Sequence, residues 1–133
     1  METDKMKNIT LKPFVIMALN LNNPAEEVKL LRKAGAKNVK EVAGCYNGIF
    51  ERSYVLTDFQ SLPALWELAA EYNQESILYV DADRKATLHY IDDNLMIKET
   101  VLLGKFRGVP EETARKFDSR TYAPHTNSWY IVD

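Results

Sequence analysis

Two groups of carboxylates are the first candidates for chemistry in this chain. Asp81 and Asp83 form a D-x-D pattern, and Asp92 and Asp93 follow in the next turn. Oxygen ligands this close together suit Mg²⁺ or Ca²⁺. The strand between the two turns separates them by roughly 25 Å at about 3.3 Å per residue, so they cannot form one site. Aspartates in hairpin turns usually accept hydrogen bonds from their own backbone, and we therefore predict no metal site.

The two histidines and the single cysteine are the next candidates, as a base, a metal ligand or a nucleophile. His89 and His125 fall in none of the patterns H-x-T, H-x-x-x-H or H-E-x-x-H. His89 alternates along its strand with Lys85 and Thr87, which predicts a surface position. Cys45 stands at a strand end, where packing is its commoner role. We predict no catalytic residue and no cofactor.

Three further stretches have a functional and a structural interpretation. Gly44 to Gly48 is rich in glycine but lacks a phosphate-loop pattern and precedes no helix, so it predicts a turn. Aromatic and basic residues share a face of one strand, as in RNA-binding sheets, but burial is the better account. The first helix carries a basic stripe, which leaves weak nucleic-acid binding as a minor alternative. The strand residues are Phe50, Arg52 and Tyr54, and the stripe is Lys29, Arg32, Lys33, Lys37 and Lys40.

Aromatic and basic residues also crowd the C-terminal part of the chain. Such residues are typical of anchors in protein interfaces. They could equally cover an open face of the sheet, and both interpretations remain open. The interface candidates are Arg115, Arg120, Tyr122, Trp129 and Tyr130.

The elements that must position these residues follow from periodicity and turn signals. Asn23, Pro24 and Glu26 mark a helix start, and Gly35 its end. Asn47-Gly48 is the strongest hairpin signal, and Ser61 can cap a second helix. We predict strands at 13–19, 38–45, 49–56, 75–80, 85–91, 95–106 and 128–132, helices at 24–34, 62–72 and 110–117, and a loop at 118–127.

Composition limits the class of protein. The chain has 133 residues, a net charge of −2 and one cysteine. This length suits a single domain, predicted at 13–133 behind a flexible segment at 1–12. The acidic balance argues against nucleic-acid binding by bulk charge. One cysteine, no signal-peptide pattern and no apolar run of about 18 residues predict a cytoplasmic protein with no membrane association.

The order of the predicted elements indicates a fold class. The first two-thirds read strand, helix, strand, strand, helix, strand, which is the order of the ferredoxin-like split βαβ arrangement. We predict an α+β fold of this kind (βαββαβ), extended by further antiparallel strands and a short C-terminal helix. Right-handed crossovers would place both helices on one face of the sheet.

Several short motifs between Pro13 and Val80 resemble a bacterial and phage family of unknown function, the DUF3293 domain. The carrying residues are Ala18 and Asn20, Gly44, the segment 51–55 (ERSYV), Leu68-Ala69 and the segment 72–77 (YNQESI). Asn73 stands where that family usually has glycine. The resemblance implies a compact α/β domain and no established activity.

Four polar residues within these motifs have a physical interpretation of their own. Asn20 follows the first strand, Glu51 and Ser53 point the same way on the third, and Gln74 precedes the fourth. The first and third strands are central neighbours in a split βαβ sheet, so these side chains could line a polar cleft. The alternative, which we favour, is a hydrogen-bond network that fixes loops.

These observations favour a small non-enzymatic binding protein, such as a phage-encoded protein that docks on a host protein and modulates it. The alternative is a small enzyme or nucleotide-binding domain with a polar cleft around Glu51 and Ser53. A protein partner is expected and nucleic acid is disfavoured, while the oligomeric state, the identity of the partner and the host stay open.

Overall fold

A computed structural model describes residues 12–91 and 97–133, except for the side chains of residues 97–99. Eight strands and three helices lie within these residues. In chain order they are β1 (Phe14–Met17), α1 (Pro24–Lys33), β2 (Ala36–Tyr46), β3 (Ile49–Phe59), α2 (Leu62–Glu71), β4 (Ser76–Val80), β5 (Lys85–Ile91), β6 (Ile97–Val109), α3 (Glu111–Ala114), β7 (Arg120–Ala123) and β8 (Ser128–Val132).

The strands form one closed antiparallel barrel. Their order around the wall is β1-β3-β2-β7-β8-β6-β5-β4, and β4 pairs with β1 to close the ring. The longest ladder joins β2 to β3, from Ala36 opposite Phe59 to Tyr46 opposite Ile49. The ladder of β1 with β3 is short and runs only from Val15 opposite Leu56 to Met17 opposite Tyr54.

Alternation along the strands produces two apolar cores, one on each side of the wall. In β1, Phe14 and Ile16 belong to a cluster inside the barrel with Val42, Val80 and Phe106. The residues between them face outward and join a second cluster, which the two longer helices cover. That outer cluster contains Val15, Met17, Leu31, Tyr54, Leu56, Leu65, Leu68 and Ala69, among others.

Local signals explain where the helices and the main hairpin begin. The side chain of Asn23 accepts hydrogen bonds from the backbone N–H groups of Ala25 and Glu26, and that of Ser61 accepts one from Ala64. Both caps were predicted and are confirmed. Asn47 and Gly48 have φ values of 53° and 83°, the left-handed conformation that a tight hairpin requires.

The predicted fold class is wrong, because the sheet is a closed barrel and not a ferredoxin-like layer. The first four strands lie in the order β4-β1-β3-β2, and the remaining four bridge β4 to β2. The predicted loop 118–127 contains β7, which pairs with both β2 and β8 and so completes the wall. The face that an open sheet would expose is therefore the interior of the barrel.

Some sequence predictions fall outside the described residues. These are the flexible segment, apart from Lys12, and the turn at Asp92 and Asp93 with the predicted start of the sixth strand. Among the described residues, every helix is too short or too polar to cross a lipid bilayer.

Candidate functional site

A cavity of about 760 Å³ lies at one end of the barrel. We call this end the mouth. It is formed by Ala18 and Asn20 after β1, by the β2–β3 hairpin, by residues 73–76 at the start of β4 and by residues 119–121 at the start of β7. A cavity of this size is within the range of small-molecule sites.

The four residues of the predicted polar cleft all line this cavity. Asn20, Glu51, Ser53 and Gln74 come from four different places in the chain, and closure of the barrel brings them to one mouth. From the sequence, a hydrogen-bond network that fixes loops was the favoured interpretation of these four residues. The arrangement instead supports the cleft, and a role in ligand binding stays a prediction.

Strand β3 positions two of these residues by simple alternation. Glu51 and Ser53 face the cavity, while Arg52 and Tyr54 point to the outer surface beneath α1. Ser53 is 1% exposed, whereas Glu51 is half-buried. A half-buried carboxylate at a cavity mouth is within reach of a ligand that enters.

Tyr46 reaches into the cavity across a glycine. A Cβ atom added to Gly44 would lie 2.9 Å from both the Ser53 Oγ and the Tyr46 Cε2, so only glycine leaves room for this packing. Loss of hydration and the nearby charge of Glu51 raise the pKa of Tyr46 to about 12. Tyr46 is still 38% exposed. Because its pKa lies well above neutral pH, the phenol is protonated and can donate a hydrogen bond.

Aromatic and aliphatic residues form the deeper lining. The rings of Phe106 and Tyr130 stack with centroids 5.0 Å apart and planes 16° from parallel. Leu78, Leu88 and Tyr90 complete this apolar region below the polar mouth. Flat aromatic surfaces attract both planar rings and cations.

Both signs of charge are present around the cavity. Glu51, Glu75 and Arg120 are among the residues that line it. Arg120 lies over the ring of Phe50, 5.2 Å from its centroid, and donates a hydrogen bond to the Phe117 carbonyl at 2.9 Å. Its Nε is buried and has no hydrogen-bond partner among the described residues. The guanidinium is therefore directed to Phe50, which alternates along β3 with Glu51, and the carboxylate of Glu51 lies on the cavity side.

The five interface candidates do not form one cluster. Tyr130 stacks inside the barrel and Arg120 lies at the mouth. Tyr122 and Trp129 pack together on neighbouring strands, with centroids 4.7 Å apart. Arg115 pairs with Glu111 on the exposed side of α3. A shared interface made by all five stays a prediction, and their separation in the fold does not support it.

His89 and Asp81, two further candidates for chemistry, lie away from the cavity. The predicted surface position of His89 is wrong, because it is 8% exposed and packs outside the barrel against Trp66 and Tyr79. Burial lowers the pKa of His89, so it is neutral. Asp81 accepts hydrogen bonds from the backbone of Asp83 and Lys85, as expected for a turn. Among the described side chains, no group of three His, Cys, Asp or Glu could hold a metal ion.

Sequence reasoning missed several lining residues, among them Tyr46, Glu75, Tyr90 and Arg120. Tyr46 had a local signal, because it precedes the Asn47-Gly48 turn and shares a strand face with Gly44. Glu75 directly follows the predicted Gln74, and Tyr90 pairs with Ser76 at the start of β4. Arg120 had no signal, since its place in the lining depends on how the barrel closes.

A closed barrel with a charged mouth and an aromatic interior has the features of a small-molecule site. The S-adenosylmethionine lyase family model matches residues 17–132, and the chain belongs to this family. No curated protein matches the chain.

This family assignment corrects two predictions. The resemblance to the DUF3293 domain is wrong, because the matching family is a different one and spans most of the chain. The non-enzymatic docking protein is also wrong, since the family is named for an enzymatic activity. The alternative of a small enzyme with a polar cleft around Glu51 and Ser53 fits better.

Proposed function

We propose that this protein is an enzyme that cleaves S-adenosylmethionine in the barrel cavity. The observation that carries the proposal is the family match over residues 17–132, a span that includes every polar residue of the mouth. Further support comes from the cavity volume of about 760 Å³, which accommodates a ligand of this size. A cytoplasmic location, expected from the single cysteine, is part of the same proposal.

The chemistry of the substrate matches the two regions of the cavity. S-adenosylmethionine carries a sulfonium and an ammonium cation, a carboxylate, and a flat purine. The carboxylates of Glu51 and Glu75 suit the cations. The stacked rings of Phe106 and Tyr130 offer an apolar surface to the purine or the sulfonium.

The reaction requires departure of sulfur from a carbon. The electron pair of the C–S bond leaves with sulfur, which becomes a neutral thioether. As that bond breaks, either an oxygen of the substrate's own carboxylate bonds to the carbon and closes a ring, or the adjacent carbon gives a proton to a base such as the Glu51 carboxylate and a C=C bond forms. The protein can favour both routes by holding the substrate in one conformation and by excluding water from the apolar interior.

Replacing Glu51 tests the proposal. We expect purified wild-type protein to convert S-adenosylmethionine to a thioether product, and Glu51→Gln to lower kcat/KM roughly 10- to 100-fold. The reason is that a charge-assisted contact to the substrate cation is lost. Liquid chromatography with mass spectrometry measures both products. Glu71→Gln, an exposed change on α2, is the control and should leave the rate unchanged.

The amino-acid product also identifies the route. Ring closure gives a lactone that keeps every carbon-bound hydrogen of the substrate, whereas proton loss gives an unsaturated amino acid. The absence of any cleavage by the folded wild-type protein would contradict the proposal.

A further inference from the structure

A buried carboxylate lies on the opposite side of β3 from the cavity. Glu27 of α1 is 1% exposed and accepts three hydrogen bonds. Its Oε1 accepts from Arg52 Nε at 2.8 Å and from the Tyr54 hydroxyl at 2.8 Å. Its Oε2 accepts from the backbone N–H of Leu21 at 2.9 Å. Neither carboxylate oxygen lacks a donor.

Arg52 extends this network to a second backbone group. Its Nη2 donates to the carbonyl of Leu21 at 2.9 Å, while its Nε donates to Glu27. Leu21 is therefore held at both its N–H and its carbonyl, and the peptide groups on either side of it are fixed. We call Glu27, Arg52 and Tyr54 the Leu21 clamp.

The clamp is charged at neutral pH. Burial opposes ionisation of Glu27, but the hydrogen bonds from Leu21, Tyr54 and Arg52 outweigh it, so the pKa of Glu27 lies below its ordinary value. Loss of hydration, together with the hydrogen bond to Glu27, raises the pKa of Tyr54, which stays a donor. An ion pair with two additional donors is strongly directional.

The clamp acts where the backbone ladder has stopped. The ladder of β1 with β3 ends at Met17 opposite Tyr54. The same register, continued, would place Asn20 opposite Glu51. Asn20 instead adopts a left-handed φ of 58°, and no ladder bond holds it against β3. The next residue, Leu21, is the one that the clamp attaches to β3.

We propose that Glu27, Arg52 and Tyr54 are positioning residues of the cleavage site, which hold Asn20 at the cavity mouth, together with Glu51, through Leu21. The inference rests on the proposed function, since Asn20 and Glu51 line the cavity in which cleavage is placed. Arg52 and Tyr54 alternate along β3 with Glu51 and Ser53. A single strand thus carries cavity residues on one face and their positioning residues on the other.

General stability does not account for this choice of residues. Replacing a buried ion pair with well-packed apolar side chains of similar volume is often neutral or stabilising. The neighbouring residues of the outer cluster are apolar, including Leu31 on the same helix. Three apolar side chains would fill the same space but could not form hydrogen bonds with the N–H and the carbonyl of Leu21.

Kinetics of three variants test the inference. Glu27→Gln keeps the size but turns one oxygen into an NH₂ group that faces existing donors. We expect kcat/KM for S-adenosylmethionine to fall about 10-fold, mainly through a higher KM, because the substrate meets a displaced Asn20. Tyr54→Phe removes one hydroxyl and should give a smaller loss of kcat/KM, again mainly through a higher KM. If Glu27→Gln does not fold, Tyr54→Phe is the variant that tests the inference. Leu31→Val, on the same helix, is the control for lost stability.

A double-mutant cycle separates positioning from mere stabilisation. If the clamp acts through Asn20, Glu27→Gln should cause little further loss of kcat/KM in the Asn20→Ala background. Its effect on the melting temperature should be the same in both backgrounds. Leu31→Val should lower the melting temperature and leave kcat/KM within about twofold at temperatures well below melting.

Two results would overturn the inference in distinguishable ways. If wild-type protein does not cleave S-adenosylmethionine, both the proposed function and the inference fail. If wild-type protein cleaves it but the folded clamp variants retain normal kcat/KM, or if the losses of Glu27→Gln and Asn20→Ala simply add, only the inference fails.

Discussion

Glu27 is a carboxylate that the surrounding residues keep ionised at 1% exposure. Its two oxygens receive three donors, so the cost of burial is offset by hydrogen bonds that a protonated acid would lose in part. The same residue links stability to pH, because its pKa is lower in the folded chain than in the unfolded one. A folded pKa below the unfolded value stabilises the protein above the unfolded pKa, and this stabilisation is lost as pH falls through the folded pKa.

The residue-scale prediction concerns Glu27 in acid. Near pH 7, Glu27→Gln should lower the free energy of unfolding by about 1–3 kcal/mol, because buried donors lose their acceptor. The difference in the free energy of unfolding between variant and wild type should shrink as pH falls below 4.5, the ordinary pKa of a glutamate. In that range Glu27 of the wild type also becomes protonated and loses its charge. Urea unfolding at several pH values measures it. Glu26→Gln, an exposed neighbour, should show a much smaller effect, and a gap that does not change with pH would contradict the assignment.

At the scale of elements, the β2–β3 hairpin carries the inner wall of the mouth. Its long ladder places Gly44 opposite Glu51 and Tyr46 opposite Ile49. Tyr46 can lie across the strand only because Gly44 has no side chain. The hairpin therefore shapes the cavity both through its side chains and through the absence of a Cβ atom at Gly44.

Substitution of Gly44 should affect both stability and activity. In Gly44→Ala the new Cβ would lie 2.9 Å from the Ser53 Oγ and the Tyr46 ring, so these side chains must move. We expect a loss of about 1–3 kcal/mol in the free energy of unfolding and a reduced cleavage rate. Gly108→Ala is the matched control, because its Cβ would meet Tyr130 at an ordinary 3.6 Å. Equal effects of the two variants on denaturant midpoint and rate would contradict this account.

Local signals made some elements predictable and left others hidden. Asn23, Ser61 and Asn47-Gly48 each satisfy backbone geometry within a few residues, so the sequence alone indicates the caps and the turn. Strand β7 is only four residues long and is followed by Pro124. Its stability comes from pairing with β2 and β8, which lie far away in the chain, and no local pattern reports such pairing.

The site was predictable to the extent that it depends on strand alternation. Glu51 and Ser53 share a face whatever the fold, and Asn20 and Gln74 flank strands that neighbour β3 directly or through β1. Arg120 joins them only because β7 completes the closed wall. The burial of His89 has another cause, because helix α2 covers the outer face of the wall, where His89 packs against Trp66.

At the scale of the molecule, closure depends on how β6 meets the C-terminal end of the chain. The backbone N–H of Lys105 donates to the Asp133 carbonyl at 2.9 Å, and the N–H of Asp133 donates to the Lys105 carbonyl at 3.0 Å. Gly104 precedes this pair with a φ of 142°. A Cβ there would lie 2.6 Å from the Asp133 carbonyl oxygen, so the two segments can meet only at glycine.

Gly104→Ala should therefore weaken the barrel as a whole. We expect a loss of more than about 2 kcal/mol in the free energy of unfolding, because backbone strain at positive φ adds to a backbone clash. Chemical denaturation measures the midpoint, and the slope with denaturant reports whether the barrel still unfolds as one unit. A midpoint no lower than that of Gly108→Ala would show that this junction does not control closure.

The lone thiol of Cys45 has a practical consequence. It is fully buried in β2, one residue from Tyr46, and its Sγ lies 3.8 Å from the Asp118 carbonyl. An alkylating reagent can reach it only when the hairpin separates from β7 and the segment that precedes it. Since the chain has no second cysteine, the rate of alkylation reports the opening of this wall in the unaltered protein, without any introduced label.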